Sequence, residues 1–289
     1  MSGNKVLILG AKGMLGQALL KEFSASYEVV AWDREDVDIT EKDILRDKIS
    51  AMRPDIIINT VAHNGVDKIE TDNAEFSAAQ KINGEAVKNL AAIANDLDAI
   101  IIHYSTDYVF DGKKETGYTE ADAPNPISRY GQTKFQGEKN LLETSRKFYL
   151  IRLSKLFSNV SAGPTSKKSF VETMLGLYQT GKKELELVDE ELSSPTYAPD
   201  LAKFTRGLLE NRKPWWIYHG ANFGAGTWYE LGKTIFEIKK FDVCIVPVSS
   251  SKYPRPALRP QTSILLNTKM PQQRSWQAAL KEALQILWF

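Results

Sequence analysis

Four apolar residues, Val6-Leu7-Ile8-Leu9, run straight into Gly10-Ala11-Lys12-Gly13-Met14-Leu15-Gly16, and Leu15, Leu19 and Phe23 then share one helical face. This strand, glycine loop and helix restrict the fold more than any other feature of the chain. Glycine lets backbone N–H groups approach a pyrophosphate closely, and the helix N-terminus favours its charge. The third glycine lets the helix pack on the strand. A carboxylate, Asp33, closes the next apolar run about 20 residues on, where it can accept the ribose 2′-OH of a dinucleotide. Arg34 follows it and Lys12 lies in the loop. Either cation suits a 2′-phosphate, so the cofactor is read as NADH or NADPH, with a slight lean to NADH.

The same rhythm continues. Tyr27 to Trp32, Asp55 to Asn59 and Ala99 to Ile102 read as strands, and Thr40 to Met52 and Asn73 to Asn95 as helices between them. Continuous rather than alternating hydrophobicity means burial on both faces, as in parallel strands covered by helices. The expected fold is α/β, a Rossmann-like doubly wound parallel sheet, with ligands at the carboxyl ends of its strands. Beyond residue 155 the rhythm breaks. Residues 1–155 are expected to form the dinucleotide-binding domain. Residues 156–289 are expected to form mainly a smaller α/β substrate-binding lobe, with about 198–220 returning to the main sheet. Ser158 to Lys168 reads as a mobile loop, Leu185 to Val188 as a strand and Asp200 to Glu210 as a helix. Trp276, Leu280, Leu284 and Leu287 form a core-facing helical stripe.

Several function classes drop out. Lys and Arg number 37 against 36 Asp and Glu, a balance that offers no electrostatic footprint for nucleic acid and no polybasic membrane anchor. No apolar run approaches a membrane span, and the first one passes into the glycine loop rather than a cleavage site, so the expected location is cytoplasmic. Cys244, in the run Val243-Cys244-Ile245-Val246, is the only cysteine and is expected to be a small buried hydrophobe. His63, His103 and His219 lack metal-ligand spacing, and no metal site is expected.

Tyr130-Gly131-Gln132-Thr133-Lys134 places a phenol and an ammonium one helical turn apart. A neighbouring cation favours phenolate and brings a pKa near 10 toward the working range. Ser105-Thr106-Asp107 closes the fourth strand, 24 residues before Tyr130, where a hydroxyl can reach a substrate carbonyl. Tyr130, Lys134 and Thr106 are therefore the candidate catalytic set.

The glycine spacing, G-x-x-G-x-x-G, is the variant seen in short-chain dehydrogenases. The run Tyr104-Ser105-Thr106-Asp107-Tyr108-Val109-Phe110-Asp111-Gly112 resembles the signature of the dTDP-4-dehydrorhamnose reductases, extended members of that superfamily. Tyr118-Thr119-Glu120, Pro124-Asn125-Pro126 and the Tyr130–Lys134 phrase continue it. Ala62-His63-Asn64-Gly65-Val66-Asp67-Lys68 upstream looks like that family too. So do Ser194-Pro195-Thr196-Tyr197-Ala198-Pro199-Asp200, Trp228-Tyr229-Glu230 and Arg259-Pro260-x-x-Ser263 downstream. The resemblance spans essentially the whole chain. It implies that Gly13, Met14 and Leu15 touch the pyrophosphate, that Asp33 meets the adenosine ribose, and that Asp38 and Ile39 border the adenine; Gly10, Gly16 and Arg34 are cofactor candidates from the loop and its neighbouring charge. Val61, Ala62 and His63 would line the middle of the cofactor, and Lys134 would hold the nicotinamide ribose. Thr106 and Asp107 would hold the sugar, and Tyr130 would give the proton to O4. His63 has a second reading as a packed residue at a strand end.

Three positions depart from the family's pattern. Lys155 stands where the family carries a substrate-contacting tryptophan, and Glu191 and Ser193 replace its Gln and Gly. An ammonium is no substitute for a stacking indole, so the departures bear on which nucleotide-sugar binds. Lys155, Trp228 and Arg259 are the further substrate-side candidates. The reading is NAD(P)H-dependent reduction of the 4-keto group of a nucleotide-linked 6-deoxyhexose, in dTDP-rhamnose or related polysaccharide biosynthesis. Two alternatives stay open: a nucleotide-sugar epimerase or dehydratase of the same superfamily, and a catalytically silent cofactor-binding regulatory subunit. The resemblance implies a homodimer, which no sequence stripe marks.

Overall fold

Alternate residues of the first strand face two different cores. In a computed structural model that describes residues 4–158 and 168–286, Val6 and Ile8 join a cluster with Leu15, Leu19, Phe23 and Leu201. Leu7 and Leu9 join another with Ile57, Leu90 and Leu150. Helices on both faces therefore bury the sheet, the physical reason its strands are continuously apolar.

The elements run β1 (Lys5–Leu9), α1 (Met14–Phe23), β2 (Glu28–Trp32), α2 (Lys42–Met52), β3 (Ile56–Asn59), α3 (Val66–Thr71), α4 (Asn73–Gln80), α5 (Ala86–Asp96), β4 (Ile100–Thr106), α6 (Arg129–Thr144) and β5 (Phe148–Phe157). They continue with α7 (Phe170–Gln179), β6 (Glu184–Val188), β7 (Leu192–Ser193), β8 (Pro195–Tyr197), α8 (Ala198–Glu210), β9 (Trp216–His219), α9 (Trp228–Lys239), β10 (Cys244–Val248), β11 (Thr262–Ser263) and α10 (Trp276–Ile286). The main sheet is parallel, in the order β2-β1-β3-β4-β5-β8, and β9 pairs with β5 beside β8. This is the Rossmann-like α/β fold expected. Strand order reverses between β1 and β3, and such a switch point opens a crevice at the carboxyl ends of the strands.

The helix expected over residues 73–95 is interrupted: a single π turn, Lys81–Glu85, separates α4 from α5. It turns Asn83 inward, where its side chain accepts from His63 N at 2.8 Å and donates to Thr133 Oγ1 at 3.0 Å. Helix α8 and strand β9 lie with the main sheet, α8 packing on α1 and Ala198, Leu201 and Leu208 joining its core. Phe157, Leu175, Leu185, Ile235, Trp276, Leu280 and Leu284 form a separate core, around which β6 pairs with β10 and β7 with β11. Leu287, and most of the loop expected over 158–168, lie outside the described residues. Cys244 is exposed, against expectation. Among the described residues strand β10 pairs with β6 alone, in a two-stranded sheet that covers it on one edge, and Cys244 and Pro247 are its exposed residues. Among the described residues, no helix is long and apolar enough to cross a membrane.

Candidate active site

A cleft of about 1370 Å³ runs along the carboxyl ends of β1, β3, β4 and β5. At one end the glycine loop reverses direction. Gly10 sits at φ +78°, a left-handed conformation that a side chain disfavours, and its N–H donates to Trp32 O at 2.9 Å. A Cβ on Gly16 would lie 2.2 Å from Gly10 O, so only glycine lets α1 come this close. Gly10, Gly13, Met14 and Leu15 line the cleft, whereas Gly16 packs beneath the loop. No side chain caps α1 and no acid lies in its first turn, leaving unpaired amide hydrogens that suit an anion.

Beyond the loop, Asp33 is fixed by two backbone N–H groups, accepting from Lys12 at 2.9 Å and Arg34 at 2.8 Å. Lys12 Nζ is paired with Glu35 at 2.6 Å, while Arg34 is exposed. Thr40 bonds to Asp38 through both its amide and its hydroxyl, which holds that carboxyl below its usual range. Asp38, Ile39, Val61, Ala62 and His63 all border the same cleft. His63 Nε2 lies 2.7 Å from Glu75, so its ring is both part of the wall and held from behind. The Ser105 hydroxyl, in the same wall, is buried with no hydrogen-bond partner among the described residues. A glycine cradle, an uncapped helix start, a fixed carboxylate and an unpartnered hydroxyl together suit a dinucleotide.

Tyr130 and Lys134 reach the middle of the cleft from the first turns of α6. Ser128 caps this helix by accepting from Gly131 N at 3.2 Å. Gly131 permits close docking, since a Cβ there would lie 2.3 Å from Tyr108 O. The Tyr108 ring meets the Tyr130 ring edge-on at 5.6 Å. Tyr130 Oη donates to Asn64 Oδ1 at 3.3 Å, and Thr106 lines the same stretch of the cleft. Lys134 Nζ donates to Tyr104 O at 2.7 Å. Burial pulls the Lys134 ammonium down to about 8, opposed by Glu138. The Tyr130 phenol moves the other way from the sequence argument. Burial pushes it above its ordinary value, a Thr106 hydrogen bond opposes this, and the Asp107 charge adds to the rise. Burial thus favours the protonated phenol, the form a proton donor needs.

Asp107 lines the cleft beside Thr106, but both its oxygens are engaged. Oδ1 accepts from Thr106 at 3.1 Å, and Oδ2 accepts from Ser154 at 2.8 Å and Ser263 at 2.6 Å. Burial pushes its carboxyl up, against those hydroxyls.

The three departures from the family pattern meet in the far wall. Lys155 sits at a β-bulge in β5 with φ +41°, and a bulge re-aims a side chain. Its Nζ donates to Glu191 O at 2.6 Å and Gly226 O at 2.8 Å, and lies 4.7 Å over the Trp228 ring. Burial pulls this ammonium down to about 7. Trp228 Nε1 donates to Glu191 at 3.0 Å, and Arg255 pairs with the other Glu191 oxygen. Ser193 N donates to the same Gly226 carbonyl. Arg259 grips Asp67 through two parallel bonds of 2.7 Å, and so ties the proline-rich segment to α3. Several of these residues lie outside the sequence motifs, among them Glu35, Glu75, Asn83, Ser128, Gly226 and Arg255. Those, and the roles of Asn64, Ser154 and Ser263, are visible only once the segments meet in space.

Known proteins similar to this chain match it along nearly its whole length. The family model described as RmlD substrate binding domain matches residues 4–288. The spore coat polysaccharide biosynthesis protein SpsK of Bacillus subtilis is 34% identical, with 97% of each chain covered. The dTDP-4-dehydrorhamnose reductase of Escherichia coli is 33% identical, with 96% of each covered. The crystal structure of dTDP-4-dehydrorhamnose reductase from Bacillus anthracis in complex with NADP superposes with a TM-score of 0.92 at 30% identity, covering 99% of this chain and 100% of that one.

Proposed function

Because the chain belongs to the RmlD substrate binding domain family, as an NAD(P)H-dependent oxidoreductase resembling the dTDP-4-dehydrorhamnose reductases, we propose that it reduces the 4-keto group of a nucleotide-linked 6-deoxyhexose with Tyr130 as proton donor. The observation that carries the reading is Tyr130 itself. Its buried phenol stands between the glycine-loop half of the cleft and the wall formed by Lys155, Trp228 and Arg259. A bound nicotinamide cofactor supplies a hydride. Tyr130 gives its proton to the oxygen that becomes the alcohol, and Asn64 aims the phenol. Lys134, anchored on Tyr104 O, presents its remaining hydrogens to a ribose and stabilises the phenolate left behind.

Gly13, Met14 and Leu15 would hold the pyrophosphate and Asp33 the adenosine ribose. Asp33, held by the Lys12 and Arg34 amides, would accept a ribose 2′-OH and repel a 2′-phosphate, which favours NADH, while exposed Arg34 would be the group that accepts NADPH. On the substrate side, Lys155 spends two of its hydrogens on backbone carbonyls. Trp228, which it supports, then offers the aromatic surface to the nucleotide-sugar. Loss of the β5 tryptophan, with Trp228 kept from the family's phrase and its ring under Lys155, points to a sugar nucleotide with its base or sugar placed differently from the family pattern.

The test is NAD(P)H oxidation with dTDP-4-keto-6-deoxyhexoses. Tyr130→Phe should lower kcat by about 10²- to 10⁴-fold, the usual contribution of a positioned general acid, while cofactor affinity stays unchanged. A near-normal rate in that variant rules out the assigned role.

A further inference from the structure

An indole carries one polar atom and no two-fold symmetry, so turning it over about χ2 presents a different edge to its surroundings. Trp228, the first residue of α9, is half-buried in the far wall of the cleft. Three other segments fix its ring. Its Nε1–H donates to Glu191 Oε2 at 3.0 Å. Lys155 Nζ lies over one face, 4.7 Å from the ring centroid, and the Phe170 ring meets the indole at 4.7 Å with a tilt of 43°. The start of the helix is locked as well: Thr227 caps α9 by accepting from Glu230 N at 3.1 Å, and its hydroxyl donates to Asp189 at 2.6 Å.

Glu191 links these restraints. Its side chain is buried, and both oxygens hold protein donors, Oε2 the indole N–H and Oε1 the Arg255 guanidinium. Its backbone carbonyl accepts from Lys155 Nζ at 2.6 Å, and Gly226 O, two residues before Trp228, accepts from the same ammonium at 2.8 Å. One residue therefore ties the group on the indole N–H to the group on the indole face. A carboxylate is a stronger acceptor than a neutral group, so this bond selects one of the two ring flips.

We propose that Glu191 is a positioning residue for substrate recognition: by accepting the Trp228 N–H it fixes which edge and face of the indole the cleft presents to the nucleotide-sugar. With both oxygens already engaged, Glu191 acts through Trp228 rather than on the sugar nucleotide itself. This assignment rests on the reading of the far wall as the nucleotide-sugar side.

The test titrates dTDP-4-keto-6-deoxyhexoses into the full-length protein by calorimetry, with oxidised cofactor present so that no hydride moves. It compares Glu191→Gln, Trp228→Phe and the double variant. In Glu191→Gln the one remaining carbonyl oxygen goes to the Arg255 cation, which turns the amide hydrogens toward the indole N–H and releases the ring. In Trp228→Phe the ring stays aromatic but has no N–H to hold. Each single change should raise the sugar Kd by at least about 5-fold with the cofactor Kd within about 2-fold. The double variant should bind no more than about 2-fold worse than the weaker single, because Glu191 has nothing left to act on. In turnover, Glu191→Gln should raise KM with kcat within about 2-fold, the pattern of lost uniform binding. An unchanged sugar Kd in Glu191→Gln overturns the proposal. So do losses that multiply in the double variant, or a cofactor Kd that rises as much as the sugar Kd, the sign of a general loss of structure. Sugar binding without turnover in the unaltered protein overturns the reductase reading alone, since the binding cycle still decides the proposal. Absence of binding by every such sugar overturns the reading of the far wall, and the proposal with it.

Discussion

Glu138→Gln removes the charge on which a wholly buried arginine depends. Arg152 Nε and Nη2 donate to the two Glu138 oxygens at 2.9 and 2.7 Å, with both side chains only 1% exposed. The guanidinium lies 5.0 Å over the Phe110 ring, and its Nη1 has no further partner among the described residues. The pair bolts β5 to α6 one turn beyond Lys134, so it holds the helix that presents Tyr130. The amide keeps the volume of the carboxylate, yet it offers one acceptor where two were used and turns hydrogens toward the cation. Leaving a buried charge unpaired in this way costs about 3–5 kcal/mol. A chain of 289 residues unfolds with an entropy of about 0.6 kcal/mol/K, so Tm should fall by about 5–8 °C. Differential scanning calorimetry at neutral pH measures this directly. Replacing both residues, Arg152→Met with Glu138→Leu, should recover most of the loss, because an apolar pair of similar volume carries no desolvation cost. A Glu138→Gln Tm within about 1 °C of the unaltered protein would refute the reasoning.

The glycine loop and a buried lysine supply two more predictions. Gly16→Ala would set a Cβ 2.2 Å from Gly10 O and 2.7 Å from Ala11 Cα, both backbone atoms. It should weaken NAD(P)H binding at least about 10-fold in calorimetric titration, since α1 is pushed off the loop. Gly13→Ala, whose added atom meets only Gly10 O at 3.2 Å, should cost less, and equal affinities in the two variants would contradict the packing argument. Burial lowers the Lys155 pKa from 10.5 to about 7, so between those values the unfolded chain binds the proton that the folded one has lost. Stability from this group therefore rises with pH across that window. The Tm difference between the unaltered protein and Lys155→Met should grow in favour of lysine from about pH 7 upward, and a flat or shrinking difference would contradict it.

Much of the site is legible in the sequence because its motifs are local. The glycine loop, Asp33, Thr106 and the Tyr130–Lys134 turn each need only neighbours within one element, and the continuous apolar runs carry the parallel sheet. The contacts that orient these groups are long-range. Asp107 draws on Ser154 and Ser263, 47 and 156 residues distant, and no spacing rule links a serine in a turn-rich segment to a carboxylate at a strand end. Asn83 faces inward only because of a π turn, which shifts the helical periodicity by a residue. Lys155 was legible as a departure, but its aim was not, because that depends on a bulge in β5 and on carbonyls from two other segments. Burial likewise reverses the direction of the Tyr130 shift argued from its lysine neighbour, since local sequence reports charge and says little about desolvation. Cys244 misled for a related reason: an apolar run resembles a core strand even when it pairs on one side only.

The most direct test of the central claim follows the transferred hydrogen. Incubating the protein with nicotinamide cofactor deuterated at C4 and a dTDP-4-keto-6-deoxyhexose, then recording the NMR spectrum of the sugar nucleotide, reports both the reaction and its position. The account predicts deuterium at C4 of a newly formed 4-hydroxy sugar, with transfer abolished or nearly so in Tyr130→Phe. Cofactor binding without label transfer to any such sugar, or undiminished transfer in Tyr130→Phe, would contradict it.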